Sequence, residues 1–123
     1  FALVNFANPD MVGHTGNFNA AIKALECVDQ CLSTVIKSAL GSDYDVIITA
    51  DHGNIEEMHD EHDHPHTQHT LNPVPLHYIS KNFSYKVGDG VLADLAPTIL
   101  EVMGLKQPKE MTGKSLLKGK RHG

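Results

Sequence analysis

The chain has 123 residues, which is enough for one modest domain with a single hydrophobic core. Its apolar fraction of 41% and its charged fraction of 20% are ordinary for a soluble globular protein. No apolar run approaches the roughly 20 residues that cross a bilayer, so we expect a cytoplasmic protein without a membrane partner. The net charge is −5, and six acidic residues lie between positions 51 and 63. This acidic middle argues against nucleic acid as a partner and favours cations.

The chain opens with an apolar stretch that predicts a strand at Phe1–Phe6. Residues 7–16 are rich in Asn, Pro, Asp, Gly and Thr, which predicts a loop rather than a regular element. This loop contains Asp10 and His14, four residues apart. We therefore expect a carboxylate and an imidazole just beyond the first strand.

A long amphipathic helix is predicted next. Asn17 is its expected N-cap, apolar residues recur on one face as far as Leu40, and Gly41 is expected to end it. Cys27 and Cys31 are four residues apart on this helix, which is a poor arrangement for a disulfide. We expect them to be reduced and partly buried, on a helix that packs against a sheet.

A second strand is predicted at Val46–Ile48, and it is followed by Asp51, His52 and Gly53. Strand, helix and strand together predict a parallel βαβ unit, in which Asp10 and Asp51 emerge at the same edge of the sheet. Ligands of open α/β sheets bind beyond the carboxyl ends of the strands, so the Asp-His pair is a candidate metal or phosphate site. From the pair alone, the alternative that Asp51 caps a turn and His52 packs beside it is equally open.

The middle of the chain is enriched in histidine, with five in the eleven residues from His59 to His69. We expect His59, His62 and His64 to be solvated on a loop. His66 and His69 lie in the sequence His-Thr-Gln-His-Thr, just before the chain returns to the core. These two are the better ligand candidates.

The last third predicts a strand at Leu76–Ile79 and a helix that begins near position 92 or 94 and ends at Met103. Gly104 is the expected helix end, and Pro97 is compatible with this helix only in its first turn. Residues 118–123 are predicted to be a frayed, solvated tail. The order of elements indicates an α/β protein.

Carboxylates and imidazoles from three segments form one candidate constellation: Asp10, His14, Asp51, His52 and either His66 or His69. Oxygen and nitrogen ligands without thiolate suit Mn²⁺, Zn²⁺ or Fe²⁺. Five ligands exceed one tetrahedral site, which favours two neighbouring metals and phosphoryl chemistry. No Ser or Thr has an obvious nucleophile setting, no P-loop is present, and the one arginine is Arg121. The sequence therefore predicts half of a site.

Five motifs follow one another along the chain: Asn8-Pro9-Asp10-Met11-Val12-Gly13-His14-Thr15-Gly16; Thr49-Ala50-Asp51-His52-Gly53-Asn54; His66-Thr67-Gln68-His69-Thr70 with Asn72-Pro73-Val74-Pro75; Asp94-Leu95-Ala96-Pro97-Thr98; and Lys109-Glu110-Met111-Thr112-Gly113. Together they closely resemble the C-terminal part of the cofactor-independent (2,3-bisphosphoglycerate-independent) phosphoglycerate mutases, which belong to the alkaline phosphatase superfamily. The resemblance implies the C-terminal portion of a three-layer αβα fold with a mainly parallel sheet. It also implies that residues 1–123 are a segment of the metal-binding domain, without the N-terminal segment and the inserted transferase domain.

The resemblance implies a role for each of five side chains. Asp10, His14 and His69 correspond to the ligands of one metal, usually Mn²⁺. Asp51 and His52 correspond to half of the ligands of a second Mn²⁺. The family completes that second site with an Asp and the nucleophilic Ser of the N-terminal segment, and Zn²⁺, Co²⁺ or Fe²⁺ are expected substitutes for Mn²⁺.

The implied activity of the full enzyme is the interconversion of 3-phosphoglycerate and 2-phosphoglycerate through a phosphoserine, carried out by a monomer. We expect the 123-residue chain to be inactive alone, because the Ser and the substrate-orienting Arg and Lys lie in the other segments. The histidines from 59 to 64 match no ligand of the family.

Three other interpretations stay open. A phosphopentomutase or a related phosphatase would share the Asp-His-Gly sequence and the two metals, but we would not expect it to carry both the first and the last motif. The chain could instead be an autonomous metal-binding module built on the histidine loop, in which case binding would survive the loss of Asp10 and Asp51. It could also assemble with an upstream segment that is supplied separately.

Overall fold

The computed structural model describes residues 1–119. Its elements, in chain order, are α1 (Asn8–Gly13), α2 (Phe18–Gly41), β1 (Val46–Thr49), β2 (Leu76–Ile79), β3 (Lys86–Val87), a 3₁₀ turn (Leu92–Asp94), α3 (Leu95–Val102) and β4 (Leu117–Lys118). Two predicted strands and both predicted helices lie where the sequence places them. Within these residues, no helix combines the length and the apolar character that crossing a membrane demands.

Helix α2 begins and ends where local signals predict. The Asn17 Oδ1 accepts a hydrogen bond from the Ala20 N–H at 3.0 Å, which satisfies one of the free amides of the first turn. Ala21 is only 2% exposed, and half-buried residues continue its stripe along the helix. Cys27 and Cys31 are free, as predicted, but they are exposed rather than partly buried. They lie outside the half-buried stripe of α2, which is the part of the helix that other described residues cover.

The two strand pairs of the described residues are both antiparallel. In the first, Val46 of β1 lies opposite Ile79 of β2, and Thr49 lies opposite Leu76. In the second, β3 pairs with β4. The mainly parallel sheet is therefore not confirmed by residues 1–119.

The predicted strand at Phe1–Phe6 is wrong, since these residues belong to no helix or strand. A strand needs a hydrogen-bonded neighbour, and none of the described elements pairs with this stretch. Leu3 is 86% exposed, whereas Phe6 is half-buried and lines a groove on α2 with Val35. The segment 7–16, predicted as a loop, contains the short helix α1. Asp10 therefore reaches the site from this helix and not from a loop at the edge of a parallel sheet.

Burial in this chain is concentrated in two small regions. The accessible surface is 8929 Å², against about 6,500 Å² expected for a compact monomer of this mass. The buried side chains include apolar and polar types: Ala21, Met58, Pro97 and Leu116, and Asn54, Asp94 and Thr98. One region lies behind the loops that follow β1, and the other lies between α3 and the segment leading to β4.

A clamp of hydrogen bonds holds the C-terminal segment on α3. The Asp94 carboxylate accepts from the N–H groups of Val91 at 3.0 Å and Lys114 at 2.8 Å. The Thr98 hydroxyl donates to the Asp94 carbonyl at 2.7 Å and accepts from the Leu116 N–H at 3.0 Å. The predicted frayed tail is therefore wrong for Lys118, which forms β4 with Leu117. The rest of that prediction from position 120 on, with Arg121, lies outside the described residues.

Candidate metal centre

Helix α1 places a carboxylate beside an imidazole. Asp10 and His14 are four residues apart, so they lie on the same face of α1 and its C-terminal end. The distance from Asp10 Oδ1 to His14 Nε2 is 3.2 Å. Pro9 stands at the start of the helix, where the missing N–H of proline costs no hydrogen bond. The short helix thus delivers two donors of the first motif together.

His69 completes a triangle with these two side chains. Its Nε2 lies 3.1 Å from Asp10 Oδ1 and 3.2 Å from His14 Nε2. For metal–ligand bonds of about 2.1 Å, neighbouring ligand atoms are separated by about 3.0 Å in an octahedron and about 3.4 Å in a tetrahedron. The three edges of the triangle fall between these values. One oxygen and two nitrogens are therefore spaced as ligands of a single transition-metal ion would be.

The tautomer of His14 follows from its second hydrogen bond. Its Nδ1 lies 2.6 Å from the carbonyl oxygen of Thr67, and a carbonyl can only accept. Nδ1 therefore donates to this carbonyl, and Nε2 is the ring nitrogen that faces Asp10 and His69. Metal-binding histidines commonly have their other nitrogen held in this way by a carbonyl or a carboxylate.

His52 lies against the triangle from the loop after β1. Its ring stacks on His69 with centroids 3.7 Å apart and 22° between the planes. His52 Nδ1 lies 3.2 Å from the Gly53 carbonyl, to which it donates, so Nε2 is the nitrogen left for another partner. Asp10, His52 and His69 each offer a donor atom within 4.8 Å of the others. The imidazole of His52 is therefore adjacent to the triangle without forming one of its edges.

Asp51 is the most exposed of the predicted ligands. Its side chain is 81% exposed, and Oδ1 lies 3.7 Å from His52 Nε2. Asp51 and His52 thus form a pair at the side of the triangle, facing solvent. The structure brings four predicted ligands into one cluster and leaves the fifth at its edge.

His66 does not join the cluster. Its Nδ1 donates to the carbonyl of Glu57 at 3.0 Å, whereas His69 Nε2 lies 3.1 Å from Asp10 Oδ1. His62 and His64 are 72% and 73% exposed. Among residues 1–119, the groups of three close donors do not include any of these loop histidines.

The loop histidines belong to a turn that Asp60 organises. Its carboxylate accepts from the backbone N–H groups of His62 at 2.9 Å and His64 at 2.8 Å. The His64 N–H is the largest of the effects that lower the pKa of Asp60 below its usual value. The Asp60 carboxylate therefore serves a structural role, because it accepts hydrogen bonds from backbone N–H groups of the turn.

A polar network that the sequence pattern does not reveal joins the two loops behind the histidines. Glu56 Oε2 accepts from the Asn54 N–H at 2.7 Å, and Oε1 accepts from the Thr70 hydroxyl and from Asn72 Nδ2, the latter at 3.1 Å. The Thr70 N–H donates to the Gly53 carbonyl at 2.9 Å. Glu56 therefore connects the loop that carries His52 to the loop that carries His69.

These hydrogen bonds change the acidity of Glu56. Desolvation by burial alone would raise its pKa, but the hydrogen bonds from Thr70, from backbone N–H groups and from Asn72 outweigh it and lower the pKa to about 2. The carboxylate is ionised at neutral pH and accepts from every neighbour. Asn54 follows the Asp-His-Gly sequence directly and Glu56 comes two residues later, so the sequence signal for them is their place beside the predicted ligands.

Comparisons with known proteins agree with the composition of this cluster. The profile of the Metalloenzyme superfamily matches residues 1–107. A protein of Parabacteroides distasonis named 2,3-bisphosphoglycerate-independent phosphoglycerate mutase is 55% identical over 118 residues, covering 96% of this chain and 23% of that protein. A protein of Clostridium kluyveri with the same name is 58% identical over 117 residues, covering 94% of this chain and 23% of that protein.

The fold of this chain also matches a solved structure of a phosphoglycerate mutase. Leishmania mexicana phosphoglycerate mutase, crystallised at low cobalt concentration, matches with a TM-score of 0.79 and 30% sequence identity. The match covers 94% of this chain and 24% of that one. The chain thus spans about a quarter of the length of the relatives that it matches.

Proposed function

The chain belongs to the Metalloenzyme superfamily, and from this premise we propose that it carries most of the ligands of a two-metal phosphoryl-transfer centre. The full protein would interconvert 3-phosphoglycerate and 2-phosphoglycerate, a cytoplasmic step of glycolysis, as a monomer. The names of its relatives and of the solved structure support this choice over a phosphopentomutase. The single observation that carries the metal site is the triangle of donor atoms with edges of 3.1–3.2 Å.

Asp10, His14 and His69 would hold the first metal. Mn²⁺ suits this set because it accepts a carboxylate oxygen and imidazole nitrogens without thiolate, and Zn²⁺, Co²⁺ or Fe²⁺ would substitute for the same reason. The orientation of His14 by the Thr67 carbonyl supports the assignment, since it directs Nε2 at the centre. Asp51 and His52 would hold half of a second metal, with the remaining ligands supplied from outside residues 1–123.

In phosphoryl transfer, a bound divalent ion offsets the charge of phosphate oxygens and lowers the pKa of a coordinated hydroxyl. This chain's own residues would hold that charge in place: Asp10 would supply a carboxylate oxygen, and His14 and His69 would present imidazole nitrogens. The stacking of His52 on His69 would hold both imidazoles in place beside the cluster. The phosphoryl group would pass from the 3-oxygen of glycerate to a Ser outside this chain and then to the 2-oxygen. Residues 1–123 alone would therefore bind metal without turning over substrate.

A Mn²⁺ titration of the purified chain tests this proposal. We expect one tight equivalent in the unsubstituted chain and its loss in His69→Ala. The matched control is His64→Ala, which removes an exposed imidazole outside the triangle and should leave the dissociation constant unchanged. Binding that survives His69→Ala but is lost in His64→Ala would reject the proposal in favour of a metal-binding histidine loop.

A further inference from the structure

Asn54 is the most deeply buried polar residue near the donor triangle. Only 5% of it is exposed, and its Nδ2 donates to Asp10 Oδ1 at 3.2 Å. An ionised carboxylate can only accept, so the amide must present its NH₂ group to Asp10. Asp10 Oδ1 is the same atom that faces His14 and His69. Asn54 therefore fixes the one oxygen that defines a corner of the triangle.

The other end of the Asn54 amide has no compensating contact. Its Oδ1 is buried and has no hydrogen-bond partner among the described residues. A Cβ on Gly13 would overlap this oxygen, so the glycine of the first motif makes room for it. A buried, unpartnered carbonyl oxygen is unfavourable for folding, and such groups in folded proteins call for a reason other than stability. The reason lies at the Nδ2 end, on Asp10.

Glu56 holds Asn54 in this position. Its carboxylate accepts from the Asn54 backbone N–H at 2.7 Å and from groups of the loop that carries His69. One short unit, residues 54–56, is thus bonded to each segment that contributes to the triangle: α1 through Asp10, and the His69 loop through Thr70. Side chains that orient metal ligands in this way commonly change metal affinity by roughly 10–100-fold when they are removed.

We propose that Asn54, held by Glu56, is a positioning residue that sets the Asp10 carboxylate for metal binding. The inference rests on the proposed function, because it assumes a metal at the triangle. Asn54 does not touch the metal in this arrangement and acts only through Asp10. Gly13 is part of the same arrangement, because the absence of a side chain at this position leaves room for the Asn54 amide against α1.

The test compares Asn54→Ala with Asn17→Ala. Asn17→Ala removes the cap of α2, so it lowers the melting temperature of the metal-free chain without touching Asp10. We expect Asn54→Ala to weaken Mn²⁺ binding by roughly 10–100-fold, and Asn17→Ala to leave the dissociation constant within about twofold. The visible spectrum of bound Co²⁺ provides a second readout, since it reports the coordination geometry, and we expect it to change only in Asn54→Ala.

Glu56→Gln is the second variant, and it keeps the shape of the side chain if Asn54→Ala does not fold. We expect a smaller loss of Mn²⁺ affinity in the same direction, because the amide offers one accepting oxygen instead of two.

Mn²⁺ binding within about twofold of the unsubstituted chain in both variants would overturn the positioning role while leaving the metal site intact. An equal loss in Asn17→Ala would also overturn it, because the effect would then be general destabilisation. Absence of saturable Mn²⁺ binding in the unsubstituted chain would instead reject the proposed function, and the positioning role with it.

Discussion

His52 and His69 stack face to face, with ring centroids 3.7 Å apart, although they lie on different loops. The contact joins the two halves of the predicted ligand set: His69 belongs to the triangle with Asp10, and His52 pairs with Asp51. Each imidazole therefore limits the orientations of the other. Substitutions at this contact can show whether His52 acts through the packing of its ring or through metal binding by its nitrogens.

Replacing His52 by Phe should distinguish these two roles. His52→Phe keeps a flat ring against His69 but removes both nitrogens. We expect the tight Mn²⁺ equivalent to stay within about threefold and any weaker second equivalent to disappear, because Asp51 alone is a poor site. Calorimetric titration gives both stoichiometry and affinity. Loss of the tight equivalent in His52→Phe would show that His52, and not His14, is the third ligand.

Metal addition should stabilise the fold. Mn²⁺ that binds only the native chain, at one hundred times its dissociation constant, contributes about 2.7 kcal/mol. For a domain of this size we expect the melting temperature to rise by roughly 10 °C. Differential scanning calorimetry with and without Mn²⁺ measures this shift, and a chelator should reverse it. A similar shift in His69→Ala would place the stabilising ion elsewhere.

Gly13→Ala and Gly41→Ala form a matched pair, since both add one methyl group to a helix. A Cβ at Gly13 would overlap Asn54 Oδ1, whereas a Cβ at Gly41 meets nothing within 4 Å. We expect Gly13→Ala to lower the free energy of unfolding by about 1–3 kcal/mol. Gly41→Ala should be neutral or raise it by up to about 1 kcal/mol. Urea unfolding of both variants is the measurement, and equal effects would contradict the close contact of Gly13 with Asn54.

Asp94→Asn should reveal a pH-dependent contribution to stability. The N–H groups of Val91 and Lys114 hold the pKa of the Asp94 carboxyl below its usual range. Because the folded-state pKa is lowered, the contribution is complete above the unfolded value near 3.8 and is lost as the pH falls through the folded value. Asp94→Asn should therefore lower the melting temperature at pH 7, and the difference should shrink below about pH 4.

The control for this prediction is Asp89→Asn, an exposed carboxylate a few residues away. It should leave the melting temperature nearly unchanged at both pH values. A difference between Asp94→Asn and the unsubstituted chain that stays constant down to pH 2 would mean that the carboxylate charge does not hold the C-terminal segment.

Local sequence determined the elements and most of the candidate donors. The N-cap at Asn17 and the end of the helix at Gly41 are encoded within a few residues, and the structure confirms them. The apolar stripe of α2 is only partly covered, since Leu25 and Val35 on it are exposed. The strand at Leu76–Ile79 lies where it is predicted. Asp10 and His14 stand in a short motif whose residue types indicate metal chemistry. The choice of His69 over His66 came from the resemblance to the family and not from residue types.

Tertiary structure decided what depends on partners distant in the chain. Whether β1 pairs in parallel or antiparallel fashion is set by its neighbour, and an apolar stretch such as Phe1–Phe6 becomes a strand only with a hydrogen-bonded partner. The same holds for Asn54 and Glu56, whose roles exist only because folding brings α1 and two loops together. Periodicity and capping act over one or two turns of chain, whereas pairing and polar networks form between segments that the sequence leaves far apart.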